Sequence, residues 1–252
     1  IDFPLVNEQD ASMSGFVLKC LSRPIIKAKI AVEGQLITLF NCHLKSKLGD
    51  YIKAPNEKFS KAADLTHYLP AARAMGQIRA MVRRSAEAQV LRQLIIEAID
   101  AGEVVMVLGD FNDSEYSITS AVLKGEQPFK NYAWMRRHNA KHKSDRYTEQ
   151  EDATIRAQMI RYQLESAEMQ FIKRAQRDIV YTTAFNGVYE SIDQILMSQH
   201  FLPNINPNAI GQMDYFSVFN DHITDGAHPE APYNKLASDH GQIMATLHLT
   251  GG

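Results

Sequence analysis

Residues 104–113 read VVMVLGDFND: five apolar residues, a glycine, and then Asp110, Asn112 and Asp113 crowded together. The run Val104 to Leu108 lies between Gly102 and Gly109 and is apolar at every position, which predicts a strand buried on both faces. Where such a strand ends, side chains two apart point the same way. Asp110 and Asn112 thus offer a carboxylate and an amide at a sheet edge, where sites in α/β proteins commonly form. Hard oxygen atoms of this kind suit Mg²⁺, Mn²⁺ or a phosphate oxygen. The competing reading is a plain turn, which also favours Gly-Asp and Asn-Asp.

Outward from this strand, three more are legible. Gln35 to Leu44 (QLITLFNCHL) follows the Glu33-Gly34 turn and is rich in β-branched and aromatic residues. Ser191 to Met197 (SIDQILM) is a short apolar run, and Gln242 to Leu249 (QIMATLHL) alternates apolar and polar residues as a half-buried strand does. From Ile78 to near Gly102, Val82, Ala86, Val90, Leu94 and Ala98 recur every fourth residue, joined by Leu91, Ile95 and Ile99. That spacing predicts a helix with one apolar face and with Arg79, Arg83, Arg84, Glu87 and Arg92 elsewhere on its surface. Glu149 to about Gln176 reads as a second helix, with Ile155, Met159, Tyr162, Met169 and Ile172 turned inward and the methionines filling core. Helices alternating with strands give an α/β layered architecture. No linker divides it, so residues 1–252 read as one domain, with Ala54-Pro55-Asn56 and Leu202 to Pro207 as loops inside it.

Composition narrows the function. The 252 residues are 45 % hydrophobic and 22 % charged, an ordinary globular balance. With 27 Lys and Arg against 29 Asp and Glu the net charge is −2, so a polyanion would be held by a local patch and not by the whole surface. Val104 to Leu108 is the longest run of large apolar residues, far below the ~20 that cross a bilayer. Cys20 and Cys42 are too few for a disulfide framework and read as buried, reduced thiols. With no visible signal peptide, this points to a cytoplasmic setting.

Each strand carries a polar cluster. His43 ends the second strand region and is followed by Lys45 and Lys47, which sets an imidazole beside positive charge. Asp193 stands inside an apolar run, and a buried carboxylate there needs a cation or a histidine as partner. Ser238-Asp239-His240-Gly241 precedes the last strand, so that one side chain can bind a metal while its neighbour meets substrate. Each cluster alone also has a structural reading, as a turn or a satisfied histidine. Together they point to one metal-assisted phosphoryl-transfer site.

In this order, HLKSK, VLGDFND, SIDQIL and SDHGQ resemble the endonuclease/exonuclease/phosphatase superfamily, with its deoxyribonuclease-I-like fold; Leu21-Ser22-Arg23-Pro24 resembles the segment carrying that family's phosphate-contacting arginine. The resemblance runs from about Ser22 to Leu249. It implies two packed, mostly antiparallel β-sheets flanked by helices in a four-layer α-β-β-α sandwich. It also implies a hydrolase dependent on Mg²⁺ or Mn²⁺ that cleaves phosphodiesters, most readily as a nuclease. Asp110 and Asn112 match residues that orient water and hold the scissile phosphate, with Asp110 also at the metal. Asp239 matches a metal-binding carboxylate. His240 matches the general base or transition-state stabiliser, Asp193 its partner, and His43 a general acid at the leaving oxygen. Arg23 and Lys45 would contact phosphate.

The chain departs from the family in one respect. The early asparagine strand and the Gln-Glu pair that supplies a metal-binding glutamate have no counterpart before Ser22, and Asn7-Glu8-Gln9 sits in a polar stretch. The expectation is therefore a domain lacking its amino-terminal part. Two alternatives follow: a phosphatase or a phospholipid or inositol-phosphate phosphodiesterase on the same core, and a silent phosphate-binding domain. Two further features carry less. Arg136-Arg137-His138, Lys141-His142-Lys143 and Arg146, beside Tyr132 and Trp134, could track a nucleic-acid backbone but more commonly mark a solvated loop. Phe219-Asn220-Asp221-His222 could line the site.

Overall fold

The computed structural model describes residues 20–49, 70–125, 148–174, 180–224 and 236–250. The basic stretch around Arg136 to Arg146, Asn7-Glu8-Gln9 and Ala54-Pro55-Asn56 lie outside these residues. Strands β1 (Ile26–Val32) and β2 (Gln35–His43) are followed by helix α1 (Pro70–Asp100), β3 (Val104–Asp110) and α2 (Ile118–Lys124). Next come α3 (Glu149–Tyr162), β4 (Leu164–Ser166), α4 (Ala167–Arg174), β5 (Thr183–Phe185), β6 (Val188–Glu190) and β7 (Asp193–Ser198). β8 (Gly211–Phe219) and β9 (Gln242–Leu249) close the described chain.

One five-stranded sheet has the order β1-β2-β3-β7-β4. Only β2 and β3 are parallel, because the long helix α1 carries the chain back between them; the other neighbours are antiparallel. The period of two in β2, β3 and β7 divides their side chains between two cores. Phe40, Cys42, Val105, Val107 and Leu196 face Leu91, Ile95 and Ala98 of α1 and Leu123 of α2. Ile37, Met106 and Met197 face the other way, onto Met213 and Phe216 of β8 and Ala167 of α4. Both faces of β3 are covered, as its unbroken apolar sequence requires.

The result is a mixed α/β layering: helices, the large sheet, then the two-stranded sheet β8–β9. Among the described residues the outer face of β8–β9 carries no helical layer, and Met244 there is 46 % exposed. Three of the four expected layers are present among the described residues. β1 is an exposed edge strand with Lys27 and Lys29 paired to Glu103, charges that discourage further strand addition.

Three sequence expectations change. The single helix from Glu149 becomes two, separated by β4, because pairing with the edge of β7 satisfies backbone groups of Leu164 to Ser166 that a helix would otherwise hold. α3 begins at a capping box between Thr148 and Glu151. α1 is rotated relative to the predicted stripe: Ile78 is exposed, whereas Arg84, Glu87 and Arg92 are buried among Leu91 and Ile95. Finally, Cys42 is buried as expected but Cys20 is exposed. No helix among the described residues is long and apolar enough to cross a membrane.

Candidate active site

The parallel pairing of β2 with β3 sets His43 opposite Asp110, and the antiparallel pairing of β3 with β7 sets Asp110 opposite Asp193. Three polar residues from distant parts of the chain therefore stand in one row across adjacent strands. The ladder continues past them, with Leu44 N–H donating to Asp110 C=O at 3.0 Å and Phe111 N–H to Ile192 C=O at 2.9 Å. His43 Nε2 lies 3.1 Å from Asp110 Oδ2.

Asn112 closes the Asp110 end. Its N–H donates to Asp110 Oδ1 at 2.7 Å and its side-chain amide to Asp110 Oδ2 and Leu44 C=O, each at 3.0 Å. This tight turn gives Asn112 a φ of 53°, a left-handed conformation that asparagine tolerates better than most residues. Gly109, one residue before Asp110, has φ 136°, and a Cβ there would stand 2.0 Å from Cys42 O. Glycine alone lets β3 approach β2 this closely beside the row.

The fourth cluster docks onto Asp193. His240 Nδ1 donates to Asp193 Oδ2 at 2.9 Å. Thr182 binds the two sides together: its Oγ1 accepts from Ile192 and Asp193 N–H at 3.0 and 3.2 Å, and its C=O accepts from Gly241 N–H at 2.8 Å. His222 Nε2 donates to His240 C=O at 3.0 Å, and Ser238 Oγ accepts from His240 N–H at the same distance. His222 was legible as a residue near the site; Thr182 has no sequence signal of its own.

The electrostatics follow from this crowding. The hydrogen bond donated to Asp193 raises the His240 pKa to about 9 against the opposing effect of burial, with help from the charges of Asp193, Asp110 and Asp239. Burial, with the Asp193 charge beside it, holds Asp110 above the ordinary carboxylate range despite the Asn112 hydrogen bond. Burial likewise pushes the Cys42 thiol up to about 12, so it is no nucleophile.

Asp110, Asp193 and His240 each offer a ligand atom within 4.8 Å of the others. Two in-register carboxylates repel unless a positive charge lies between or beside them, and their oxygens match a hard divalent cation. The two carboxylates suit a hard cation, while His240, bonded to Asp193, supplies positive charge beside them. Asp239 is exposed beside His240 and is not one of the three converging groups. Arg23 is exposed in the segment before β1. Lys45 Nζ turns onto its own loop, donating to Leu48 C=O at 2.8 Å, while Lys47 pairs with Glu190 at 2.6 Å.

No protein-family model matches this chain, and no curated protein matches it. Among solved structures it is similar to a 3′ phosphatase, NExo, from Neisseria, bound to a product DNA hairpin. The identity is 12 % and the TM-score 0.39, over 90 % of this chain and 65 % of that one. A likeness this distant assigns no family, so the functional argument rests on the site itself.

Proposed function

We propose that this chain is a divalent-metal-dependent phosphoesterase that hydrolyses phosphodiester bonds, with nucleic acid as the substrate class. The observation that carries this reading is the single row His43, Asp110 and Asp193 with His240 docked at its end. Hydrolysis of a phosphodiester needs an oriented water, neutralisation of charge on the phosphoryl oxygens and a proton for the departing alkoxide.

In this reading Asp110 orients the attacking water, and Asn112, locked against Asp110, holds the scissile phosphate. Asp193 fixes the His240 tautomer by taking its Nδ1 proton in a hydrogen bond, leaving Nε2 to face the phosphoryl group. Because the same partner favours the charged imidazolium, His240 acts as a donor to the oxygen on which charge develops. His43, 45 % exposed at its side chain, delivers a proton to the leaving oxygen. Asp110 and Asp193, which converge, would hold the cation with Asp239 approaching from the exposed side, and the ion would supply charge neutralisation at the phosphate. Arg23 and Lys45 would grip flanking phosphate oxygens.

The test is Mg²⁺- or Mn²⁺-stimulated cleavage of single- and double-stranded DNA and RNA, with a phosphomonoester and an inositol-phosphate diester as comparison substrates. Chelator, His240→Ala and Asp239→Ala should each reduce turnover by at least ~100-fold. Cleavage that survives both substitutions contradicts the proposal. Preference for the monoester moves it to a phosphatase, and phosphate binding without turnover moves it to a silent domain.

A further inference from the structure

Helix α1 buries three charged residues, Arg84, Glu87 and Arg92, where a core-facing helix would ordinarily place apolar ones, and the first two stand three positions apart. Glu87 is 3 % exposed and Arg84 6 % exposed. Their partners explain why. Glu87 Oε1 accepts from Ser22 N–H and Oε2 from Lys45 N–H, each at 2.7 Å. Arg84 NH1 donates to Lys45 C=O at 3.2 Å, and its Nε lies 3.1 Å from Asp113 Oδ2. Both main-chain groups of Lys45 are thus held by one turn of a single helix.

The same pair reaches three loops that the sequence reading marked as chemical. One precedes Arg23, one follows His43, and one follows Asn112. Asp113 Oδ2 also takes the Thr119 hydroxyl at 2.7 Å, and Asp113 C=O takes the Gln194 amide at 2.9 Å, which ties that turn to the strand carrying Asp193. Burying a carboxylate and a guanidinium is unfavourable unless each is fully hydrogen-bonded. Here the bonds go to loop backbone, so the helix trades an apolar face for control over loop position.

We propose that Glu87 and Arg84 are positioning residues that clip the Ser22, Lys45 and Asp113 loops to α1, fixing Arg23 and Lys45 relative to the catalytic row. Its catalytic half rests on the phosphodiesterase reading; the clip itself does not. One carboxylate bridging two loops makes their positions interdependent. Neutralising it loosens both, because an amide keeps one acceptor oxygen, turns its own donors against the second N–H, and removes the charge that strengthens the bond that is left.

The experiment is Glu87→Gln in the whole chain, read in two ways. Residue-resolved amide hydrogen exchange should show faster exchange at Ser22 and Lys45 with unchanged protection in the β2–β3 ladder. Steady-state kinetics on a DNA diester should show KM rising on the order of tenfold with kcat and its pH profile little changed, the pattern of lost ground-state contacts. Arg84→Lys should speed exchange in the Asp113 turn while the Ser22 and Lys45 N–H groups, both held by Glu87, stay protected. If Glu87→Gln loses ladder protection and so has not folded, Glu87→Asp takes its place, since its shorter carboxylate spans only one of the two amides. Unchanged exchange at Ser22 and Lys45 overturns the clip. Faster exchange with unaltered KM overturns the positioning role. A wild-type chain with no diesterase activity instead removes the phosphodiesterase reading, and the exchange result still decides the clip.

Discussion

Asp193 heads an apolar strand, and its hydrogen bond to His240 is what makes a carboxylate tolerable there. Asp193→Asn should move the His240 midpoint from about 9 down toward the ordinary value near 6.5, followed by NMR titration of the metal-free protein. A histidine whose folded pKa is raised stabilises the fold fully below about 6.5 and loses that contribution as pH climbs through about 9. The asparagine variant should lack that slope. Glu168 gives a slope of the same sign at lower pH, through the cost of burying its charged form. Burial, joined by the charge of Glu115 and opposed by the Ser191 hydroxyl hydrogen bond and by Lys124, raises it from 4.5 to about 7. The folded state therefore keeps a proton that the unfolded chain has lost, and stability declines as pH rises from about 4.5 to about 7. Glu168→Gln should be more stable than the wild type by about 2 kcal/mol above pH 7, with the gain fading below about pH 5. Urea denaturation at pH 4.5 and 8 measures it, and equal gains at both would refute the assignment.

At the scale of elements, β3 is the strand on which the site depends, since it neighbours both β2 and β7. Its Gly109 permits an approach that a Cβ would block at 2.0 Å from backbone, in a conformation with φ 136°. Gly109→Ala should destabilise by roughly 2–3 kcal/mol and separate His43 from Asp110. Gly34, in the β1–β2 turn with open space around it, provides the contrast. Gly34→Ala should cost only about 1 kcal/mol, from strain at positive φ. Denaturant midpoints of the two variants, compared at equal slope, separate steric clash from backbone strain.

For the whole molecule, folding is what brings together the carboxylates of the proposed cation site. Asp110 and Asp193 are 83 residues apart in sequence and meet only when β3 pairs with β7. A cation that binds the folded state alone should raise stability, by about 2.7 kcal/mol at one hundred times its dissociation constant. Thermal unfolding with and without Mn²⁺ should show that gain, and Asp110→Asn should remove most of it. A melting point indifferent to Mg²⁺ and Mn²⁺ contradicts the cation site.

The sequence by itself determined β2, β3, β7 and β9 closely, because burial on one or both faces imposes periods that a reader can count. It also marked His43, Asp110, Asn112 and His240 beside strand ends and Asp193 inside an apolar run, since polar residues there interrupt an apolar pattern. Other features arise from contacts between distant segments. β1 is solvent-exposed along its length, so no burial pattern marks it. β4 exists because β7 offers an unpaired edge, a fact no local preference encodes. The rotation of α1 was hidden for a related reason: charges signal solvent in a one-dimensional pattern, and Arg84 and Glu87 are buried because the Ser22 and Lys45 loops bring backbone groups, and the Asp113 turn a carboxylate, to meet them. Local sequence reports which surfaces avoid water, while the partners that satisfy a buried charge are supplied by the folded chain as a whole.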